Sequence, residues 1–304
     1  MTPPISARLT SRRQHGVAIL VALALLLFAS FGGAASFLWA NQRKLIFTPS
    51  RVESQTPAGL HLQYEDVWLP VPGSKGSNLH GWWLPSEDAA APTLLYLHGS
   101  DLNISANLPR AALFRKLGFA VLIVDYRGYG QSSGDEPSET GVYDDAETMW
   151  DYLIRARRLD PGRIFIYGHS LGGAIAIDLA QHHPDAAGLI VESTFTSMGD
   201  VAAARYPMFP ADWIHRLLHQ RFDSLARMPQ VRVPVLFIHG TADEEVPCAM
   251  SEQLYAAARE PKWLTLIPGG GHEDSDTIGG TRYTQAVLDF ARGNRHEPDG
   301  SPRG

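Results

Sequence analysis

The sequence predicts an α/β fold, a mostly parallel central sheet covered by helices on both faces. Three observations carry this. Strand-like and helix-like segments alternate from Glu65 onward, the arrangement of a layered sheet with helical crossovers. The middle strands are continuous apolar runs rather than alternating ones, as expected where both faces are buried. One of them, "RIFIY", turns at Gly168-His169-Ser170-Leu171-Gly172 straight into the small-residue helix pattern "GAIAIDLA".

In chain order, residues 1–15 form a basic tail with Arg8, Arg12 and Arg13. Gly16 to Ala40 carries no charge. At about 1.5 Å per residue it is long enough, as a helix, for the roughly 30 Å of a bilayer core, and it is expected to be a transmembrane anchor. Gly33-Ala34-Ala35 leaves a cleaved signal peptide as the alternative, although the apolar run exceeds the usual h-region of about 7–15 residues. Arg43, Lys44 and Arg51 balance the first three arginines. A short basic tail ordinarily stays in the cytoplasm, so a single-pass membrane protein with its folded domain outside the cytoplasm is expected; the alternative is an exported soluble protein. Residues 41–62 read as a connecting stretch, 63–293 as the folded domain, and 294–304 as a disordered polar tail.

Within the domain, strands are read at "EDVWLPV" from Glu65, "LHGWWL" from Leu79, "TLLYLHG" from Thr93, "FAVLIVDY" from Phe119, "RIFIYG" from Arg163, "GLIVES" from Gly188, "VPVLFIHG" from Val233 and "WLTLIPG" from Trp263. The first two, joined by "PGSKGSN", read as an antiparallel hairpin at one edge. Between strands, the segment from Gly141 places Val142, Ala146, Met149, Leu153 and Ala156 on one helical face. "PRAALFRKLG" and "LARMPQVRVP" read as further connectors. Residues 193–232 form a small cap-like insertion, in which Tyr206, Met208, Phe209, Trp213 and Ile214 are candidates for an acyl pocket.

Composition narrows the function. Of 304 residues, 44% are hydrophobic and 19% charged, and the net charge of −6 is spread along the chain. With no basic stripe, a nucleic-acid partner is not expected. The single cysteine, Cys248, forms no internal disulfide, and no cluster has zinc spacing. Nothing in the sequence calls for a cofactor or metal, and the oligomeric state is left open.

The chemistry is in the G-x-S-x-G stretch. A serine on a sharp strand-to-helix turn projects its hydroxyl above the sheet. The N–H of Leu171, at a helix start, suits a developing oxyanion. The hydroxyl needs a base. Of twelve histidines, His272 in "LIPGGGHEDS" follows the last strand on a glycine-rich loop able to fold back toward Ser170. His169 adjoins the serine and points elsewhere; His98 and His239 read as loop-bracing residues, and His182 and His183 as solvated. The acid falls between serine and histidine in the chain. Asp243 in "HGTADEEVP" is the first choice over Glu244 and Glu245, and Glu192 in "LIVEST" is the competitor. Asp125 reads as a structural carboxylate. The second oxyanion donor is expected at the N–H of Ser100, after His98-Gly99.

Together, "LHGS", "DYRGYGQSSG", "GHSLGG", "HGTADEEVP" and "GGGH" resemble the α/β-hydrolase superfamily from about Glu65 to Arg292. The resemblance implies that Ser170, Asp243 and His272 form the triad, with Leu171 and Ser100 as the oxyanion hole. The apolar N-terminal segment followed by "NQRKLIFTPS" looks like the membrane-anchored subgroup related to protein depalmitoylases and lysophospholipase-like hydrolases. "HGSDLNIS" departs from relatives with asparagine and glycine after His-Gly, which bears on substrate fit. The resemblance implies a membrane-anchored serine hydrolase of carboxylic esters or thioesters, with a lipid, small-molecule or protein acyl group as substrate. A serine aminopeptidase-like amide hydrolase, an acyltransferase with the same triad, and an inactive membrane-tethered scaffold are the alternatives. Aspartate-nucleophile chemistry is disfavoured because Ser170 occupies the turn.

Overall fold

The computed structural model describes residues 35–293 except Lys75, together with Leu26, Gly32 and Gly33. The basic tail, most of the apolar stretch read as an anchor, and the tail after residue 293 lie outside the described residues. Among the described residues, no helix is long and apolar enough to cross a membrane. The chain divides into two compact units, Met1–Gln42 and Arg43–Gly304. In the first, residues 35–42 are helical, and Phe37, Leu38 and Trp39 are exposed.

The second unit is built on strands β1 (Thr48–Pro49), β2 (Glu65–Pro70), β3 (Asn78–Leu84), β4 (Thr93–Leu97), β5 (Asp101–Leu102), β6 (Ala120–Val124), β7 (Ile164–His169), β8 (Gly188–Glu192), β9 (Val235–Gly240) and β10 (Lys262–Ile267). Eight of them form one sheet in the order β10-β9-β8-β7-β4-β6-β3-β2. Neighbours from β10 to β6 run parallel, while β3 is antiparallel to both β6 and β2. The edge hairpin is therefore present, with Glu65 opposite Trp83 and Pro70 opposite Asn78. Every residue of β4, β6, β7, β8 and β9 is buried, which explains their uninterrupted apolar runs. Strand β1 pairs in parallel with β5 and ties the connecting stretch to the loop after β4.

Helices α1 (Ile104–Lys116), α2 (Glu139–Asp151), α3 (Leu171–His182), α4 (Met198–Arg205), α5 (Ala211–Leu217), α6 (Ser224–Arg227), α7 (Ala249–Ala257) and α8 (Ser275–Gly293) complete the unit. Val142, Met149, Ile175, Leu179 and Leu254 pack in one core layer; Leu108, Phe114, Tyr283 and Val287 pack in another. Helices thus cover both faces, as the alternation implies. Helix α1 begins earlier than "PRAALFRKLG" suggests, because Asn103 caps it by accepting from Ser105 N–H. The expected face of α2 holds for Val142, Ala146, Met149 and Leu153, which are buried, but Ala156 is exposed. The helix passes into a π-helical turn at Tyr152–Ala156, which shifts the angular position of its last residues away from the apolar stripe.

The insertion after β8 consists of α4, α5 and α6 rather than a separate cap domain. Tyr206, Met208, Phe209 and Trp213 are each about half exposed or more, and Ile214 is only partly buried. They form an exposed apolar surface on the insertion. The helices that carry them are short, eight residues in α4 and seven in α5.

Candidate active site

Ser170 connects β7 to α3 at φ 54°, ψ −121°, a backbone region that non-glycine residues occupy only where the surroundings enforce it. Ser170 N–H donates to the Glu192 carbonyl at 2.9 Å, and its own carbonyl accepts from Thr194 Oγ1 at 2.8 Å. Packing density explains the flanking glycines. A Cβ on Gly168 would lie 2.1 Å from the Gly172 carbonyl oxygen, and one on Gly172 would lie 2.1 Å from that of Leu97. Strand and helix can approach this closely only without side chains.

The loop after β10 brings His272 to the serine. His272 Nε2 lies 2.9 Å from Ser170 Oγ. The preceding glycines sit against the end of β9, where a Cβ on Gly240 would lie 2.2 Å from the Gly270 carbonyl oxygen. Ala242 N–H donates to that carbonyl at 2.8 Å and fastens the loop. His272 Nδ1 faces Asp243 Oδ2 at 2.8 Å. A carboxylate only accepts, so Nδ1 carries the proton and leaves Nε2 free to accept from the hydroxyl. The structure therefore brings the expected Ser170, His272 and Asp243 together in one hydrogen-bonded chain.

Burial pushes the Asp243 carboxyl upward. Hydrogen bonds from His239, from His272 and from Val246 N–H outweigh that and hold it well below the usual carboxylate range. Burial would lower His272, but its hydrogen bond and charge interaction with Asp243 win and raise it above its ordinary value. Of the acidic residues beside Asp243, Glu245 is exposed and lies 4.0 Å from His272 Nε2.

Glu192 does not reach His272. Its Oε2 accepts from Tyr167 and Tyr283 hydroxyls, each at 2.7 Å, and Arg110 lies 3.8 Å from its other oxygen. Asp125 is structural, as read from the sequence: its Oδ1 accepts from Ile104 N–H at 2.9 Å, at the start of α1.

Gly99 runs beside the serine, with its side-chain direction 3.6 Å from Ser170 Cβ. The Ser100 carbonyl accepts from Tyr129 Oη at 2.7 Å and from Thr48 N–H at 3.0 Å. His98, fully buried, faces the Gly99 carbonyl through Nδ1 at 2.8 Å, and burial lowers its pKa to about 4. It is a neutral loop brace, as expected. Leu171 is the first residue of α3, so its N–H is at the helix start. His183 bonds Glu147 at 2.8 Å and stacks on Trp150, more than a solvated helix end requires.

Three contributors escaped the sequence reading. His239 Nε2 lies 3.1 Å from Asp243 Oδ2 and 2.9 Å from the Val246 carbonyl, while Nδ1 lies 2.7 Å from Ser251 Oγ. Two acceptors at Nε2 place the proton there, so His239 donates to the acid that orients His272. His169 Nε2 lies 2.9 Å from the His272 carbonyl; burial, with Arg110 and His272 nearby, holds it neutral. Arg110 donates to the Glu273 carbonyl at 2.6 Å. The last two fix the backbone on either side of the His272–Glu273 peptide. Their partners lie 103 and 163 residues away, so no local motif marks them.

Comparison with known proteins agrees with this architecture. The family model described as serine aminopeptidase, S33, matches residues 88–206 and 205–274. A Mycobacterium tuberculosis protein is 38% identical over 264 residues, covering 85% of this chain and 90% of the relative. The α/β-hydrolase domain-containing protein WAV2 of Arabidopsis thaliana is 34% identical over 291 residues, covering 87% and 93%. The solved Pyrococcus furiosus esterase Pf2001 superposes with a TM-score of 0.67 at 18% identity, covering 83% of this chain and 98% of the esterase; at that identity the likeness is one of fold. With the doubly covered parallel sheet and the serine turn between β7 and α3, these matches place the chain in the α/β-hydrolase superfamily, within the S33 serine aminopeptidase-type family.

Proposed function

We propose that the protein is a membrane-anchored serine hydrolase that cleaves carboxylic esters or thioesters of acyl or lysolipid type. The observation that carries this reading is the chain from Ser170 Oγ through His272 to Asp243, at 2.9 and 2.8 Å, built on a strained turn at a helix start. In this reading Ser170 Oγ attacks the acyl carbonyl as His272 Nε2 takes its proton. The N–H groups of Leu171 and Ser100 receive the oxyanion of the tetrahedral intermediate. His272 then protonates the leaving alcohol or thiol, and the acyl group remains on Ser170. Water attacks the acyl-enzyme with His272 again as base, which releases the acid and restores the serine.

The exposed apolar side chains of Tyr206, Met208, Phe209 and Trp213 favour a lipid-like acyl group, and Ile214 lies on the same segment. The apolar stretch from Gly16 to Ala40 favours a bilayer-bound enzyme of single-pass topology with its domain outside the cytoplasm. The esterase fold of the Pyrococcus furiosus protein supports ester chemistry. A second reading, removal of an N-terminal amino acid from a peptide, is favoured by the description of the matching family.

A panel of p-nitrophenyl esters and acyl thioesters of increasing chain length, run beside aminoacyl p-nitroanilides, separates the two. Turnover of esters with a chain-length optimum is expected. Turnover of the anilides alone would replace the ester reading by the peptidase one.

A further inference from the structure

We infer that Glu53, His80 and Asp125 form a binding site for a divalent transition-metal ion of the zinc class. His80 lies on β3 with its ring buried. Its Nε2 faces Asp66 Oδ1 at 2.9 Å, which places a proton at Nε2 and leaves Nδ1 as the nitrogen a metal would take. That nitrogen is buried without a hydrogen-bond partner and lies 3.6 Å from Glu53 Oε1. Asp125, at the end of β6, is also fully buried. Its Oδ1 accepts from Ile104 N–H, and its Oδ2 has no partner. One ring nitrogen of His80 and one oxygen of each carboxylate lie within 4.8 Å of one another.

Three potential ligands thus converge, His80 and Asp125 buried, and buried polar atoms are ordinarily paired. Burial raises the Asp125 carboxyl well above the usual carboxylate range, so without an ion a proton on Asp125 is shared among them. A cation takes that proton's place and engages all three. The 3.6 Å separation of His80 Nδ1 and Glu53 Oε1 is close to the roughly 3.3 Å between two ligands of a tetrahedral ion with bonds of about 2.0–2.1 Å. The partners behind the ligands also fit. Asp66 orients the His80 ring as carboxylates do for metal-bound histidines, and Gln131 Nε2 donates to both Glu53 oxygens at 3.0 Å. Arg51 stands nearby but donates to the carbonyls of Gly130 and Ser132 rather than to either carboxylate. One imidazole with two carboxylates suits zinc better than magnesium or calcium, which prefer all-oxygen shells.

The three ligands come from the connecting stretch, from the edge hairpin and from the end of a central strand. An ion there would clip these segments together. Asp125 Oδ1 also lies 3.5 Å from His98 Nε2, and His98 precedes the glycine that borders Ser170. The site therefore braces the loop beside the serine while staying apart from it. The ligands are 27 and 45 positions apart in the chain, so no compact zinc spacing reveals them.

The test is calorimetric titration of the untagged, chelator-stripped full-length chain with zinc chloride, with thermal melts in parallel. One equivalent is expected to bind and to raise Tm. Glu53→Gln, and Asp66→Asn at the exposed carboxylate behind His80, are each expected to weaken zinc binding about 10–100-fold with metal-free melts close to wild type. Calcium and magnesium are expected to bind more weakly than zinc. Glu273→Gln serves as control for the other clustered group, His169, His272 and Glu273, and is expected to leave zinc affinity unchanged. Absence of zinc binding would overturn the inference and leave the three acceptors sharing a proton. Binding lost in Glu273→Gln but kept in Glu53→Gln and Asp66→Asn would overturn it in favour of the second cluster.

Discussion

Asp243 is the residue on which the proton chemistry turns. It receives hydrogen bonds from His272, His239 and the Val246 and Glu245 N–H groups, so it stays anionic and favours the protonated form of His272. The base must be neutral to act. Activity is therefore expected to rise with pH through a midpoint above the ordinary histidine value, since His272 is raised. Asp243→Asn removes the charge that raises it. The acid limb of kcat/KM is then expected to move to lower pH, with kcat reduced by about 10³–10⁴-fold. Glu192→Gln, in a residue that bonds tyrosines instead, is expected to cost far less activity; the reverse ranking would move the acid to Glu192. His239→Asn removes one charge-assisted bond to Asp243, of about 1.5–3 kcal/mol. Its kcat is expected to fall about 10-fold or more, with KM little changed, as steady-state kinetics would read.

The elements show how the sequence encodes this arrangement and where it stops doing so. Strands buried on both faces announce themselves as apolar runs, which makes β4 and β6 to β9 legible; β2 and β3 are legible as a tryptophan-containing edge hairpin and β10 as the apolar run before the glycine-rich loop. The serine turn is legible because glycines are required where β7, α3 and the end of β4 meet. A methyl group on Gly172 would collide with the Leu97 carbonyl. Gly172→Ala is accordingly expected to lower stability by about 1–3 kcal/mol and to abolish hydrolase activity, measured by denaturant melts and initial rates. His272 and Asp243 are legible through their loops. His239, His169 and Arg110 are not, because each meets its partner through tertiary packing or a buried ring orientation that no local pattern records. The end of α2 misleads at Ala156, where a π-helical turn breaks the 3.6-residue period.

For the whole molecule, a strongly covered sheet delivers serine, histidine and acid from three different strand ends to one point. The S33-type family and its relatives account for that scaffold across most of the chain. The proposal of a bilayer-associated enzyme rests on the apolar stretch before residue 41 and on the exposed aromatic side chains of the insertion. The full-length chain is expected to stay in the membrane fraction after a carbonate wash. A soluble product beginning near Ser36 would instead mean that the apolar stretch is a cleaved signal.

Whether Ser170 is an activated nucleophile is read without any knowledge of the substrate by labelling with a fluorophosphonate probe. The wild-type protein is expected to take the label, and Ser170→Ala, folded to the same melting profile, is expected not to. A folded wild type that takes no label, or equal labelling of the Ser170→Ala protein, would mean that Ser170 is not the nucleophile.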